Sequence, residues 1–324
     1  MQFAAFFGSR LLKAVVILLA IIALNFFLIR AAPGDPAAVM AGEAGAADQI
    51  FLTQLREQFG LDKPVLTQLW IYMSGVATFD LGFSYRQQMP VSELILDRLP
   101  ATLLLTGTAF VISLAMGIAG GVLAAMRVGR WSDTLITTAA LIFYATPLFW
   151  IALMAVLLFS VHFSWLPSFG IETVGTDYTG FARLLDIARH LVLPALTLGL
   201  FFMAVYARMT RASMLEVGQM DFVKTAKAKG LKNGVIQRRH VLRNALLPVV
   251  TLAGLQAGQM VGGAVLTETV FAWPGIGRLM YESLLQRDYN LLLGIFFVSA
   301  LLVIVVNMLT DIIYRLVDPR IGAA

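Results

Sequence analysis

Between Asp221 and Pro248 the chain reads DFVKTAKAKGLKNGVIQRRHVLRNALLP, and its polar chemistry is concentrated there. Asp221 stands before Lys224, Lys227, Lys229, Lys232, Arg238, Arg239 and Arg243, with His240 among them. Cations without a facing nucleophile, general base or metal-ligand set do not make or break bonds. In this number they engage acidic surfaces or hold a loop on the cytoplasmic side of a membrane. Candidates for catalysis elsewhere are sparse. His162, His190 and His240 are far apart, and no cysteine is present, so disulfides, thiolate chemistry and cysteine-bound metal are excluded. There is no H-E-x-x-H and no G-x-S-x-G. No glycine is followed directly by lysine, so the chain has no Walker A phosphate loop. These absences argue against an intramembrane enzyme and exclude a pump that carries this nucleotide site on this chain.

The basic segment has the signals of a short helix. Asp221 is the expected N-cap, its carboxylate accepting from free amides and complementing the positive helix end. Lys227 and Lys229 fall in the last turn, and Gly230 follows where a left-handed stop is expected. Phe222, Val223 and Ala226 are expected on one face, and Lys224 and Lys227 on another. Thr225, Ala226 and Ala228 keep the profile slim. A second basic helix follows. Spacing alone leaves two readings open: a docking element for a soluble partner, or a cytoplasmic basic loop that is helical without a partner.

The elements that must position this segment are apolar. Of 324 residues, 59% are hydrophobic and 13% charged, with mean hydropathy +0.82. A soluble surface needs roughly a quarter charged residues, so the chain is expected to be polytopic and all-α. The net charge of +5 follows the loops and has no aromatic–basic platform beside it, which argues against nucleic acid as a partner. Six segments are long enough to span: about Leu11–Ile29, Ala101–Met126, Leu135–Val161, Leu191–Ala207, Leu246–Thr267 and Leu291–Thr310. Arg10 and Lys13 precede the first run, which is longer than a signal core, so it reads as an uncleaved anchor. Nine basic residues between Arg208 and Arg243 set that loop, and with it both termini, on the cytoplasmic side. The chain then divides into residues 1–30 (N-terminal segment and first span), 31–98 (an extracytoplasmic helical cap), 99–320 (a membrane core with the cytoplasmic loop 213–245) and a tail, 321–324. Within the cap, Pro33-Gly34-Asp35-Pro36 predicts a turn, and helices are expected near Asp48–Phe59 and Pro64–Val76, the latter with Pro64 in its first turn. A second outer stretch, about His162–His190, carries Trp165 and Tyr178. From the residues alone these two regions read as packing lids.

Membrane-depth charge is nearly absent, which argues against a self-sufficient carrier or channel. Glu268 is expected at the outer end of the fifth span, either lining a vestibule or anchoring the interface. Gly254, Gly258 and Gly262 recur every four residues, flanked by Gln256 and Gln259. Such a strip suits close helix packing or a water-filled path. Gly117 and Gly121 repeat the spacing on the second span, and Arg208 and Arg211 read as interfacial anchors.

Several stretches together carry a resemblance. Lys224-Thr225-Ala226, Gly230, Arg239-His240, Leu242-Arg243-Asn244-Ala245 and Pro248 resemble the EAA-type coupling motif of inner-membrane permeases of ATP-binding-cassette importers. The form TAKAKGL…RRHVLRNALLP is similar to the dipeptide/oligopeptide/nickel branch, dipeptide permeases above all. Leu61-Asp62-Lys63-Pro64, Asp80-Leu81-Gly82, Leu99-Pro100-Ala101-Thr102, Arg208–Met214, Thr267–Gly275, Arg287-Asp288-Tyr289 and Asp318-Pro319-Arg320 agree. Lys224 and Thr225 depart from the motif's name-giving Glu and first Ala. The resemblance implies a non-enzymatic subunit in a bacterial inner membrane, forming half of a path for dipeptides or oligopeptides. Nickel, opines or sugars are the alternatives within the family, and a membrane scaffold is one outside it. The implied partners are a second permease, two ATPases that bind the ATP and Mg, a binding protein at the outer surfaces, and the bilayer. The ATPase-coupling residues would be Asp221, Phe222, Val223, Lys224, Thr225, Ala226, Lys227, Gly230, Arg239 and His240.

Overall fold

Hydrocarbon offers the backbone no hydrogen-bond partners, so long apolar runs satisfy themselves as helices. The computed structural model describes residues 2–31, 62–84 and 86–317. The expected turn at Pro33–Pro36, the helix at Asp48–Phe59, the Asp318-Pro319-Arg320 stretch and the tail lie outside the described residues. Among those described, four helices are long and apolar enough to cross a membrane, Val91–Met126, Gly180–Val217, Asn233–Val270 and Tyr289–Thr310; a bent pair, Trp131–Ala145 with Leu148–His162, makes a fifth candidate. The chain forms two compact units.

The first unit comprises residues 1–100 and 279–304. It holds α1 (Gln2–Ala31), which contains the first expected span, and α2 (Val65–Ala77). Pro64 is the N-cap of α2, one position earlier than expected. Phe26 of α1 stacks on Tyr72 of α2 at 6.2 Å between ring centroids. A small antiparallel hairpin, β1 (Phe83–Ser84) with β2 (Met89–Pro90), pairs Phe83 with Pro90 and departs from an all-helical expectation. Two-residue strands carry too little alternation to be read from sequence. Asp288 caps the last helix, Tyr289–Val317, through Leu291 N–H (3.2 Å), and accepts the Ser84 hydroxyl as well.

The second unit comprises residues 101–278 and 305–324. Most of α3 (Val91–Met126) lies here, followed by α4 (Trp131–Ala145), α5 (Leu148–His162), α6 (Gly180–Val217), α7 (Asp221–Ala228) and α8 (Asn233–Val270). Leu105, Ala109, Leu198, Phe202, Tyr206, Val249, Met260 and Trp273 form its main core. Helices α3 and α6 approach closely. A Cβ at Gly117 would collide with Tyr206, and one at Gly121 with Thr210. The spacing noted in the sequence therefore accommodates two bulky neighbours.

Three span expectations are corrected. The run Leu135–Val161 is not one rod: α4 and α5 meet at 105°, with Thr146 extended before Pro147. Proline disfavours the helical region for its predecessor, so Pro147 was a break signal in the sequence, although Pro100, Pro194 and Pro248 lie inside helices. The fourth helix covers Gly180–Val217 rather than Leu191–Ala207. At 1.5 Å per residue its 38 residues reach about 57 Å, well past a hydrocarbon core of about 30 Å. The expected second basic helix is continuous with the fifth span as α8, whose Ile236–Leu242 turn is wound as a π-helix.

Candidate functional site

The eight-residue helix α7 is too short to be stable alone, so its position depends on caps and packing. Met220, with φ −68° and ψ 151°, is the N-cap rather than Asp221. Asp221 opens the first turn, and its carboxylate accepts from Lys224 Nζ at 2.7 Å instead of from backbone amides. It still complements the positive helix end. At the other end Gly230 takes φ +75°. Gly230 N–H donates to Lys227 O (2.9 Å) and Leu231 N–H to Ala226 O (3.3 Å). These two bonds are the Schellman pattern, which satisfies the last carbonyls and stops the helix.

Val223 (1% exposed) and Ala226 (5%) are the two buried residues of α7. They dock on Met214 and Val217 of α6, Ile236, Val241 and Ala245 of α8, and Val122 and Ala125 of α3. Phe222 does not join that face; it is 41% exposed, with Lys224, Thr225, Lys227 and Ala228 also exposed. A helix with two inward residues points its remaining side chains outward, and the spacing from 222 to 223 is 100° of turn. Arg239 is exposed and His240 half-buried in the π turn, where Asn244 Nδ2 donates to His240 O (2.7 Å).

The N-terminal turn of α4 is joined to α6 one helical turn before Met214. Arg211 forks onto Asp133, Nε to Oδ1 at 2.7 Å and Nη2 to Oδ2 at 2.9 Å. Gly129 N–H donates to the same Oδ2 at 3.1 Å. Arg211 is thus held by a specific partner. Arg208 lies over the Tyr144 ring at 4.9 Å.

Glu268, expected to line a vestibule or anchor an interface, is 0% exposed and packed within the second unit. Thr102 Oγ1 donates to its Oε1 at 2.7 Å, and Arg278 N–H to its Oε2 at 3.0 Å. Thr102 Oγ1 also accepts Ile276 N–H (2.8 Å). The indole of Trp273, fully buried, donates to Ala101 O at 2.8 Å, and Trp273 N–H to Glu268 O at 2.8 Å. Ala101-Thr102 and the stretch Glu268–Arg278, separate in sequence, form one clasp. No sequence signal pairs them except the general rule that a buried carboxylate needs donors.

The glycine strip divides. A Cβ at Gly254 would overlap Thr310, and Gly258 is buried, whereas Gly262 meets nothing within 4 Å and is exposed. Gln256 is half-buried and Gln259 exposed. Leu255, Gln259, Gly262 and Leu266 therefore make an uncovered stripe at helical spacing. No group of three His, Asp or Glu suited to a metal occurs among the described residues.

At the opposite side of the sequence map, the segment after α5 is folded by polar bonds. Arg183 forks onto Glu172 (both bonds 2.8 Å) and holds its carboxyl below the usual carboxylate range. Thr173 bonds Asp186 through its amide (2.7 Å) and its hydroxyl (2.8 Å).

Comparison with known proteins bears on all of these elements. Residues 117–323 match the model of the binding-protein-dependent transport system inner membrane component, and residues 3–106 match the N-terminal model of such membrane components. The dipeptide transport system permease protein of Alkalihalophilus pseudofirmus is 39% identical, covering 98% of this chain and 99% of its own. The oligopeptide transport system permease protein of Bacillus subtilis is 41% identical over 98% and 99% of the two chains. The dipeptide permease protein of Escherichia coli is 41% identical over 92% and 93%. Among solved structures, the inward-facing MetNI methionine ABC transporter aligns with a TM-score of 0.55 at 19% identity, over 69% of this chain and 96% of its own, a likeness of fold.

Proposed function

Because this chain belongs to the family of binding-protein-dependent transport system inner membrane components, we propose that it is a permease subunit of an ATP-driven importer that carries dipeptides or oligopeptides. It is not itself the ATPase. The reading includes six spans with both termini in the cytoplasm of a bacterium and α7 facing the same side. One permease then supplies half of the path, a second similar subunit the other half. The stripe Leu255, Gln259, Gly262 and Leu266 suits that shared boundary, because it is uncovered and weakly polar. Two ATPase subunits bind ATP and Mg, and an extracytoplasmic binding protein delivers the peptide.

The observation that carries the mechanism is the construction of α7. Its two buried residues fasten it to the ends of α3, α6 and α8, while its caps fix both termini. A helix held this way moves with whatever grips its outer face and transmits the displacement to the spans behind it. Nucleotide binding draws the ATPases together, α7 follows, and the path changes its opening. Differential contact of α7 with the two ATPase states supplies the coupling energy.

The test is mild-detergent purification of the chain from its host, with wild-type α7 and with the exposed positions of α7 scrambled while Val223 and Ala226 are kept. Wild type should bring two ATPases and a second permease. The scrambled form should lose the ATPases and keep the permease. Failure of any ATPase to accompany wild type would overturn the reading.

A further inference from the structure

Force delivered at α7 reaches α3, α6 and α8 by direct packing, because residues of all three form its seat. Helix α4 contributes nothing to that seat. Its neighbour α5 turns away at 105°, so α4 is a separate rod that a displacement must reach by another route. α4 also packs along α6, with Arg208 over the Tyr144 ring at 4.9 Å and Tyr144 stacked on Phe201, but both of these contacts lie at the far end of α4. The structure supplies one directed attachment at the N-terminal turn, the fork between Arg211 and Asp133.

Its placement is specific. Arg211 lies one helical turn before Met214, which is part of the α7 seat. Asp133 sits in the first turn of α4, and its second oxygen also takes the Gly129 amide of the turn that leads out of α3. That turn is itself fixed by Arg130 N–H donating to Arg127 O (3.0 Å), with Gly129 at φ +74°. One carboxylate therefore joins α6, α4 and the α3–α4 turn. The Asp133 side chain is 7% exposed and Arg211 30%, so the pair is shielded on one side. Two parallel charge-assisted bonds fix an angle as well as a distance, which a single lysine contact does not.

We propose that Asp133 and Arg211 are positioning residues for transport, locking α4 to the inner end of α6 so that displacement of α7 moves α4 with it. This rests on the importer reading above. It touches neither substrate nor nucleotide; it sets how much motion each hydrolysis cycle yields. Loss of the fork leaves α7 and its exposed face intact, so the ATPases still bind and still hydrolyse. What falls is the amount of peptide moved per ATP.

The experiment uses the full assembly, permeases with ATPases and binding protein, in proteoliposomes, scoring uptake of a labelled dipeptide and ATP hydrolysis together. Arg211→Lys keeps the charge and removes the fork. Uptake per ATP should fall at least about fivefold, with subunit stoichiometry and hydrolysis retained. An unchanged ratio in intact assemblies overturns the proposal. Where Arg211→Lys assembles poorly, the absence of cysteine from this chain permits the Asp133→Cys/Arg211→Cys pair bridged by a short bis-methanethiosulfonate, which forms each disulfide with loss of sulfinate and is cleaved by reductant. In one sample of fixed composition, the bridged form should couple and the cleaved form should not. Equal ratios before and after cleavage refute the role. Wild-type assemblies that show no ATP-driven uptake of any peptide would instead refute the importer reading.

Discussion

Removing the Glu268 carboxylate should destabilise the second unit more than any surface change. Glu268→Ala leaves the Thr102 hydroxyl and the backbone N–H groups of Arg278 and Gly277 without their acceptor in a site with no solvent access. Each buried donor left unpaired costs about 1–3 kcal/mol, so three of them cost roughly 3–9 kcal/mol, and a loss of about 4 kcal/mol is expected once the site relaxes. That is a large part of a typical margin of roughly 5–15 kcal/mol. Glu268→Gln is a sharper probe. One oxygen still accepts Thr102, but an amide NH2 then faces two backbone donors, so about 2 kcal/mol should be lost. The assay is thermal unfolding of the purified chain in lipid nanodiscs, with melting temperatures in the order wild type, Gln, Ala, and the Ala form lower by on the order of 10 °C. Thr102→Val should couple to Glu268→Gln, the double variant losing less than the sum by about 1 kcal/mol. A Glu268→Ala form that melts with wild type refutes the clasp.

Gly230→Val places a β-branched residue at φ +75° with open space around it, so strain is the whole effect, at least about 1–2 kcal/mol. Hydrogen exchange over residues 221–229 should rise while membrane insertion stays normal; wild-type protection there would remove the case for the left-handed stop. Val223→Asp puts a carboxylate into an apolar seat and should release α7 at about 3 kcal/mol or more, seen as lost ATPase co-purification without loss of the second permease. The Glu172 carboxyl is held low by Arg183, so the fork's contribution is present above the ordinary glutamate range near 4.3 and fades as pH falls through the lowered value. Protection across residues 172–183, referenced to intrinsic exchange at each pH, should hold at pH 6 and fall only in steps below about 4, and Arg183→Gln should abolish that dependence.

The apolar runs made most helices legible, because hydrocarbon admits no other backbone arrangement for them. Their ends were less so. α6 overruns its apolar run on both sides, since Arg183, Asp186 and Arg211 are charged yet carried on helical turns beyond that run. The stop of α7 at Gly230 was readable from one residue type, whereas its start was displaced to Met220, whose side chain makes no capping bond. Phe222 was misplaced because an apolar residue next to a buried one looks inward on hydropathy alone. The fork of Arg211 with Asp133 and the clasp of Thr102 with Glu268 join residues 78 and 166 positions apart. No local pattern encodes such pairs; only the packing of α3, α4, α6 and α8 creates them.

Because Val223 and Ala226 are the two buried residues of α7, the seat of that helix and its outer face are set by different residues. Phe222, Thr225 and Lys229 lie along an uncovered edge and contribute nothing to the seat. They can be rewritten without refolding the permease, much as a key's teeth can be recut on one blank. Exchanging only these positions between two related permeases should exchange the ATPases they recruit, and so assign motors to substrates by an address a few residues long.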